Sequence, residues 1–194
     1  VRKLQRLNLC IDIDGTLTDP YYWLSRANKF FGKKIKPEEV LSYRMHEVLG
    51  IEEQEYERFY SFFGAMIHKE ASARNGVCEV INELYKKHYV HFVTAREEKM
   101  RYVSLDWLRR HQIPFDSLSL LGSPDKVMKA EELDSDLFIE DSYDNAVQLA
   151  DAGYDVLLID CSYNQGPLPQ NVKRVSNWYQ IKNIILQRSE KEAS

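Results

Sequence analysis

Five short apolar runs, separated by stretches of helical spacing, restrict this chain to few folds. The runs are Leu7 to Ile13, Tyr89 to Val93, Phe115 to Leu121, Leu137 to Ile139 and Val156 to Ile159. Each reads as a buried strand, since a strand covered on both faces needs apolar residues at nearly every position. Between them Val77, Val80, Ile81 and Leu84 recur with helical period, as do Met100, Val103, Trp107 and Leu108. A further helix is expected across Tyr143 to Ala152, and a last one around Trp178, Ile181, Ile184 and Ile185. Strands alternating with helices favour a mainly parallel sheet covered on both sides. Right-handed crossovers then bring successive strand exits to one rim. The expected class is α/β, three layers deep.

One stretch departs from this alternation. From Pro20 to Ala73 strand signals are few and the spacing is helical: Trp23, Ala27, Phe30 and Phe31 share one face, and Tyr56, Phe59, Tyr60, Phe63 and Ile67 mark another. Pro37, followed by Glu38 and Glu39, opens a short helix, because proline suits the first turn and carboxylates suit its positive end. The expected organisation is a core of residues 1–19 and 74–188, a helical cap of residues 20–73 inserted after the first strand, and a frayed tail of residues 189–194.

Composition narrows the partners. The chain of 194 residues carries 26 Lys plus Arg against 30 Asp plus Glu, a formal charge of −4, so it has no broad basic surface for a nucleic-acid polymer. Any phosphate must be held by local positive groups. Cys10, Cys78 and Cys161 are widely spaced and lack a zinc-ligand pattern, as expected of reduced thiols in the cytoplasm. No apolar run approaches the roughly 20 residues that cross a bilayer, so no membrane partner is expected.

The chemical signal sits at the end of the first strand, in Asp12-Ile13-Asp14-Gly15-Thr16. Two carboxylates at a shared strand exit can divide labour: ionised Asp12 attacks phosphorus, while Asp14 protonates the leaving oxygen and later helps activate water. Such a pair can also simply cap a helix or hold a structural cation. Thr94, Lys126 and the Glu140-Asp141 pair follow at separate loop positions after later strands, which favours a shared site. Thr94 suits a hydrogen bond to phosphate, and Lys126 a positive charge for phosphate and adduct. Asp141 is the further carboxylate for a hard Mg²⁺ ion, and Glu140 a group that orients a metal-bound water.

These residues resemble the four ordered motifs of the haloacid dehalogenase-like superfamily. The resemblance implies a Rossmannoid core, an Asp12 nucleophile, an Asp14 acid/base, phosphate contacts from Thr94 and Lys126, and Mg²⁺ held by Asp12, Asp141 and the Asp14 backbone carbonyl. Asp144 is an accessory candidate. Asp12 through Asp19, the aromatic helical insert, Val93-Thr94-Ala95-Arg96 and Tyr163-Asn164-Gln165 are similar to the 5′(3′)-deoxyribonucleotidase-like branch, including its bacterial members. Thr94-Ala95-Arg96 and Glu140-Asp141 stand where the animal enzymes have threonine-serine-proline and paired aspartates. That branch implies a Mg²⁺-dependent phosphomonoester hydrolase acting on nucleoside monophosphates.

Tyr21, Tyr22, Trp23 and Phe30 are candidates for a wall against a base, and their helical spacing equally makes a cap core. Arg96 is placed to engage phosphate or a cap carboxylate. Arg44, His46, His68 and Arg74 have no contact identified by spacing. Two alternatives remain: a phosphatase of another small ester such as a sugar phosphate, and a noncatalytic phosphate- or partner-binding protein. Exposed cap aromatics leave a homodimer open, and no obligate oligomer is assigned.

Overall fold

The computed structural model describes residues 5–191. Six parallel strands form one sheet: β1 (Asn8–Ile11), β2 (Tyr89–Thr94), β3 (Ser117–Leu120), β4 (Leu137–Glu140), β5 (Val156–Ile159) and β6 (Val172–Val175). Their order across the sheet is β3-β2-β1-β4-β5-β6. The chain therefore winds outward in one direction from β1 to β3, then in the other from β4 to β6. The crevice between β1 and β4 is the switch point where doubly wound sheets receive ligands. Register fixes this seam: Leu9 faces Leu137, Cys10 faces Phe138 and Ile11 faces Ile139. The Asp12 amide continues it by donating to the Ile139 carbonyl at 3.0 Å.

Period-two alternation divides the strand side chains between two cores. Leu9, Ile11, Leu137, Ile139, Leu157 and Ile159 join one cluster with Val77, Val80, Ile81 and Trp107. These last residues come from α4 (Val77–Tyr85) and α5 (Arg101–Arg110), and α8 (Trp178–Lys191) adds Trp178, Ile181 and Ile185. Cys10, Phe138, Val156 and Leu158 point the other way, against Ala130 of α6 (Val127–Glu132) and Ala146 and Leu149 of α7 (Tyr143–Asp151). The result is the three-layer α/β arrangement expected from the sequence.

Between β1 and α4 lie α1 (Leu24–Phe31), a 3-10 turn at Pro37–Glu39, α2 (Met45–Leu49) and α3 (Glu53–Glu70). They bury their own cluster of Trp23, Leu24, Ala27, Val40, Leu49, Phe59 and Ile67. The two chain passages joining this cluster to the sheet run side by side. Thr18 and Ala73 form an antiparallel bridge, the Asp19 amide donates to Ser72 O at 2.8 Å, and the Arg74 amide donates to Leu17 O at 2.8 Å.

Two expectations need correction. Strand β6 lies outside the expected set: Val172-Lys173-Arg174-Val175 is an edge strand with Val172 and Val175 buried, and Lys173 and Arg174 between them break any apolar run. Residues 189–191 are not a frayed tail, since α8 continues through Lys191 and Ser189 is fully buried. Residues 192–194 lie outside the described residues. Of the two roles open to Phe30, base wall or cap core, its packing is with the insert: it is 55% exposed and sits edge-on against Phe31 and Phe63.

Candidate active site

Three strand ends converge on the switch point. Beyond β1 the chain turns through Gly15, whose φ of +77° lies in the left-handed region that only glycine enters without strain. A side chain there would strike the Asp141 carboxylate and meet the Tyr163 hydroxyl at 2.8 Å. Glycine thus lets the turn after Asp12 press against the end of β4.

Asp12 is 5% exposed, and its Oδ1 accepts from the Lys126 ammonium at the start of α6. The same ammonium donates to Glu140 Oε1. Glu140, fully buried, is also bonded by Asn145 Nδ2 at 3.2 Å and by the backbone amides of Asp141 and Ser142, each at 3.1 Å. Its oxygens are thus committed to holding Lys126 and the entry of α7. Burial works against the Lys126 charge, but Asp12 and then Glu140 outweigh it and raise its pKa above the ordinary lysine range.

Asp141 sits beside this pair. Its Oδ1 accepts from the Thr16 hydroxyl at 3.1 Å and its Oδ2 from the Tyr163 hydroxyl at 2.5 Å. Asn164 fastens the loop behind it, donating to the carbonyls of Asp141 at 2.7 Å and Ile159 at 2.8 Å. Burial first, and the Glu140 charge second, push Asp141 up to about 7. Asp12 is likewise raised well above its ordinary value by burial, against the pull of Lys126. Carboxylates from Asp12, Glu140 and Asp141 lie within 4.8 Å of one another. Asp12 Oδ2 is buried with no hydrogen-bond partner among the described residues, an unusual cost for a charged oxygen. A cluster of hard oxygen donors with one orphaned atom fits a small divalent cation.

Asp14 lies outside that cluster and has its own partners. Its Oδ2 accepts from Arg96 Nε at 2.8 Å, and its Oδ1 from Arg96 Nη2 at 2.5 Å and the Tyr22 hydroxyl at 2.9 Å. His68 Nδ1 is 3.3 Å from the same Oδ1. Burial alone would raise the Asp14 pKa, but Arg96 and then His68 overcome it and hold the carboxyl well below the usual range. Arg96, 4% exposed, is locked by Ser104 Oγ at 2.8 Å, and its amide donates to Thr94 Oγ1 at 3.2 Å. The guanidinium therefore meets a carboxylate of the first strand's exit, not one of the helical insert.

The remaining sequence candidates divide. Tyr22 and Trp23 line a cavity with Asp14, Arg96, Tyr43, Tyr56, Tyr60 and His68. Tyr21 instead pairs its hydroxyl with Ser162 Oγ at 2.8 Å and sets its ring edge-on to Tyr163. Thr94 is buried at the end of β2. Asp144, in the first turn of α7, is outside the carboxylate cluster. Arg74, without an identified contact in the sequence, donates to Gly15 O at 2.6 Å and to Cys161 Sγ at 2.8 Å. Ser104, Tyr43 and Asn145 carried no signal, being common residue types within helices or a loop.

Residues 6–191 match the family described as 5′ nucleotidase, deoxy (pyrimidine), cytosolic type C. The chain belongs to that family. A nucleotidase of Clostridium acetobutylicum is 43% identical over 182 residues, covering 94% of this chain and 95% of that protein. Among solved structures, a haloacid dehalogenase-like hydrolase of Streptococcus pneumoniae superposes with a TM-score of 0.61 at 16% identity, covering 81% of this chain and 86% of the other. A superfamily hydrolase of Geobacter sulfurreducens gives 0.59 at 16% identity, over 93% of this chain and 100% of the other. These likenesses establish the fold. The family match and the carboxylate cluster together make this cytosolic type C member a phosphomonoester hydrolase.

Proposed function

We propose that the protein is a Mg²⁺-dependent nucleotidase that hydrolyses nucleoside monophosphates through an aspartyl phosphate on Asp12. The observation that carries this reading is the Asp12 carboxylate itself. One oxygen is charge-paired with Lys126, and the other is buried without a partner beside Asp141 and Glu140. Such a poised, partly uncompensated carboxylate suits a nucleophile whose charge is balanced only when substrate and cation arrive.

Asp12, Asp141 and the Asp14 backbone carbonyl are the groups that would hold the cation. When bound, Mg²⁺ offsets the negative charge of the phosphoryl group and draws it toward the site. In the first step Asp12 bonds to phosphorus as the P–O bond to the alcohol breaks, and Asp14 gives a proton to that departing oxygen. In the second, Asp14 takes a proton from water, whose oxygen bonds to phosphorus and frees Asp12 and inorganic phosphate. Lys126 balances charge on Asp12 throughout, and the Thr94 hydroxyl binds a phosphate oxygen. The Arg96 grip favours ionised Asp14, the form needed to receive the proton from water. A phosphate dianion beside the pair competes for the guanidinium, and Asp14 then takes up a proton from solvent and holds it for the acid step.

Residues 20–73 act as a cap over a core of residues 1–19 and 74–188, with the paired passages at Thr18 and Ala73 as the pivot. The low exposure of Asp12 fits a closed cap that screens the adduct from bulk water. Nucleotide preference is supported by the aromatic cavity of Tyr22, Trp23, Tyr43, Tyr56 and Tyr60 beside Asp14, and by the nucleotidase name of the Clostridium relative. No helix among the described residues is long and apolar enough to span a membrane, and the three free thiols suit a reducing cytoplasm.

Phosphate release from deoxynucleoside, ribonucleoside and sugar monophosphates tests the substrate class. Nucleotides are expected to exceed sugar phosphates in kcat/KM by at least about tenfold. Equal or better turnover of sugar phosphates would reassign the substrate while leaving the hydrolase intact.

A further inference from the structure

The contacts of Asp14 contain an asymmetry that the phosphatase chemistry alone does not require. Among the described residues Oδ2 is held by Arg96 Nε alone, whereas Oδ1 receives three neighbours: Arg96 Nη2, the Tyr22 hydroxyl and His68 Nδ1. Tyr22 precedes α1, and His68 lies in the last turn of α3, both within the helical insert. The insert therefore grips one specific oxygen of a carboxylate that belongs to the sheet.

His68 is itself built in. It is 3% exposed, its Nε2 meets the Tyr60 hydroxyl at 2.7 Å, and its Nδ1 is 3.2 Å from the Tyr22 hydroxyl. Because the Tyr22 proton goes to Asp14, His68 Nδ1 must supply the proton that faces this cluster. Tyr60 lies just over two turns before His68 on α3, and its ring runs across Gly64 to reach the imidazole. The chain Tyr60 to His68 to Asp14 thus connects the middle of α3 to the acid/base carboxylate through the buried imidazole of His68.

We infer that His68, steadied by Tyr60, is a positioning residue: it fixes Asp14 Oδ1 from the cap side and so presents Oδ2 as the oxygen that hands its proton to the leaving alcohol. The inference rests on Asp14 serving as the acid of the proposed phosphatase. It adds that proton donation is geometrically competent only when α3 is docked, because two of the three neighbours of Oδ1 travel with the insert. Opening the cap then disarms the acid as well as admitting substrate.

The test uses leaving-group dependence. A p-nitrophenolate leaves readily without protonation, whereas the alkoxide of thymidine 5′-monophosphate needs the acid. For the full chain with saturating Mg²⁺, kcat/KM is measured on both esters for wild type, His68→Gln and Tyr60→Phe. The value reports events through departure of the leaving group. The expected result is that the ratio of p-nitrophenyl to thymidine ester rises at least about tenfold in His68→Gln and by a smaller factor in Tyr60→Phe, against a general-acid effect of order 10²–10⁴. A role confined to packing lowers both esters in proportion, and an unchanged ratio in folded His68→Gln would overturn the inference. Tyr60→Phe removes a single hydroxyl and keeps the question answerable if His68→Gln does not fold, because an unchanged ratio there overturns it equally. Failure of wild type to turn over either ester would instead refute the phosphatase reading, a result distinct from an unchanged ratio.

Discussion

Lys126 donates to Asp12 and Glu140 at once, so one buried ammonium ties the exit of β1 to the end of β4. The three groups are each at most 5% exposed, which places their mutual compensation in a weakly screening interior. Removing the cation strands two acids. Lys126→Met, which keeps the length of the side chain, is expected to lower kcat by at least about 10³-fold and stability by about 3 kcal/mol. Steady-state turnover and urea unfolding check the two effects. A variant of native stability and full rate would mean that the lysine charge serves neither purpose.

Divalent metal should stabilise the protein in a pH-dependent way. Asp141 is raised to about 7 in the folded chain against an ordinary value of 3.8, so the folded state binds its proton more tightly than the unfolded state. Stability without metal therefore falls from this group as pH rises from about 4 to about 7, and Asp12 acts in the same sense. His88 has the opposite sign: burial lowers it from 6.5 to about 4, so its contribution rises with pH across that window. Comparing Tm with Mg²⁺ and with EDTA at each pH cancels the His88 term. The Mg²⁺-induced rise in Tm is expected to be larger at pH 7.5 than at pH 5. A rise that shrinks with pH would place the ion elsewhere.

Much of this site was legible in the sequence because strand exits carry their chemistry in order. Asp12 and Asp141 follow strands whose apolar pattern is plain and Thr94 ends a third, whereas Lys126 caps α6, a short helix with no apolar pattern of its own, and the sheet brings these ends to one rim. The partners of Asp14 were less accessible. Arg96 reaches across 82 positions to a carboxylate that no local spacing predicts, and His68 does so from a helix whose apolar pattern says only that it packs. Tyr163-Asn164-Gln165 carries a family resemblance in the sequence, but the grip of Tyr163 and Asn164 on Asp141 depends on how the loop after β5 folds back. Strand β6 was missed for a simpler reason: an edge strand of four residues needs only two buried side chains.

Gly15→Ala probes the turn that sets the two aspartates. A methyl group would need φ of +77° and would collide with the Asp141 carboxylate. The expected cost is about 1–3 kcal/mol of stability, read by thermal or urea unfolding. Turnover should drop at least about 100-fold, since small displacements of reacting groups are costly. Wild-type values for both would show that the turn relaxes freely.

Tyr163→Phe tests the support of Asp141. The hydroxyl donates to Oδ2 and favours the ionised carboxylate, so its loss should push Asp141 further up and weaken Mg²⁺ binding by roughly 10-fold. Titration of activity against Mg²⁺ at fixed pH measures the change. Unaltered Mg²⁺ dependence would separate Asp141 from the cation.

The central claim is a covalent phosphoryl group on Asp12, and trapping it is the most direct measurement. Wild type is mixed with radiolabelled nucleoside monophosphate and Mg²⁺, quenched in acid within a single turnover, and reduced with borohydride before peptide sequencing. The account predicts label on the protein before reduction, homoserine at position 12 after it, and neither in folded Asp12→Asn. Rapid phosphate release with no protein-bound label, or label carried by another residue, would contradict it.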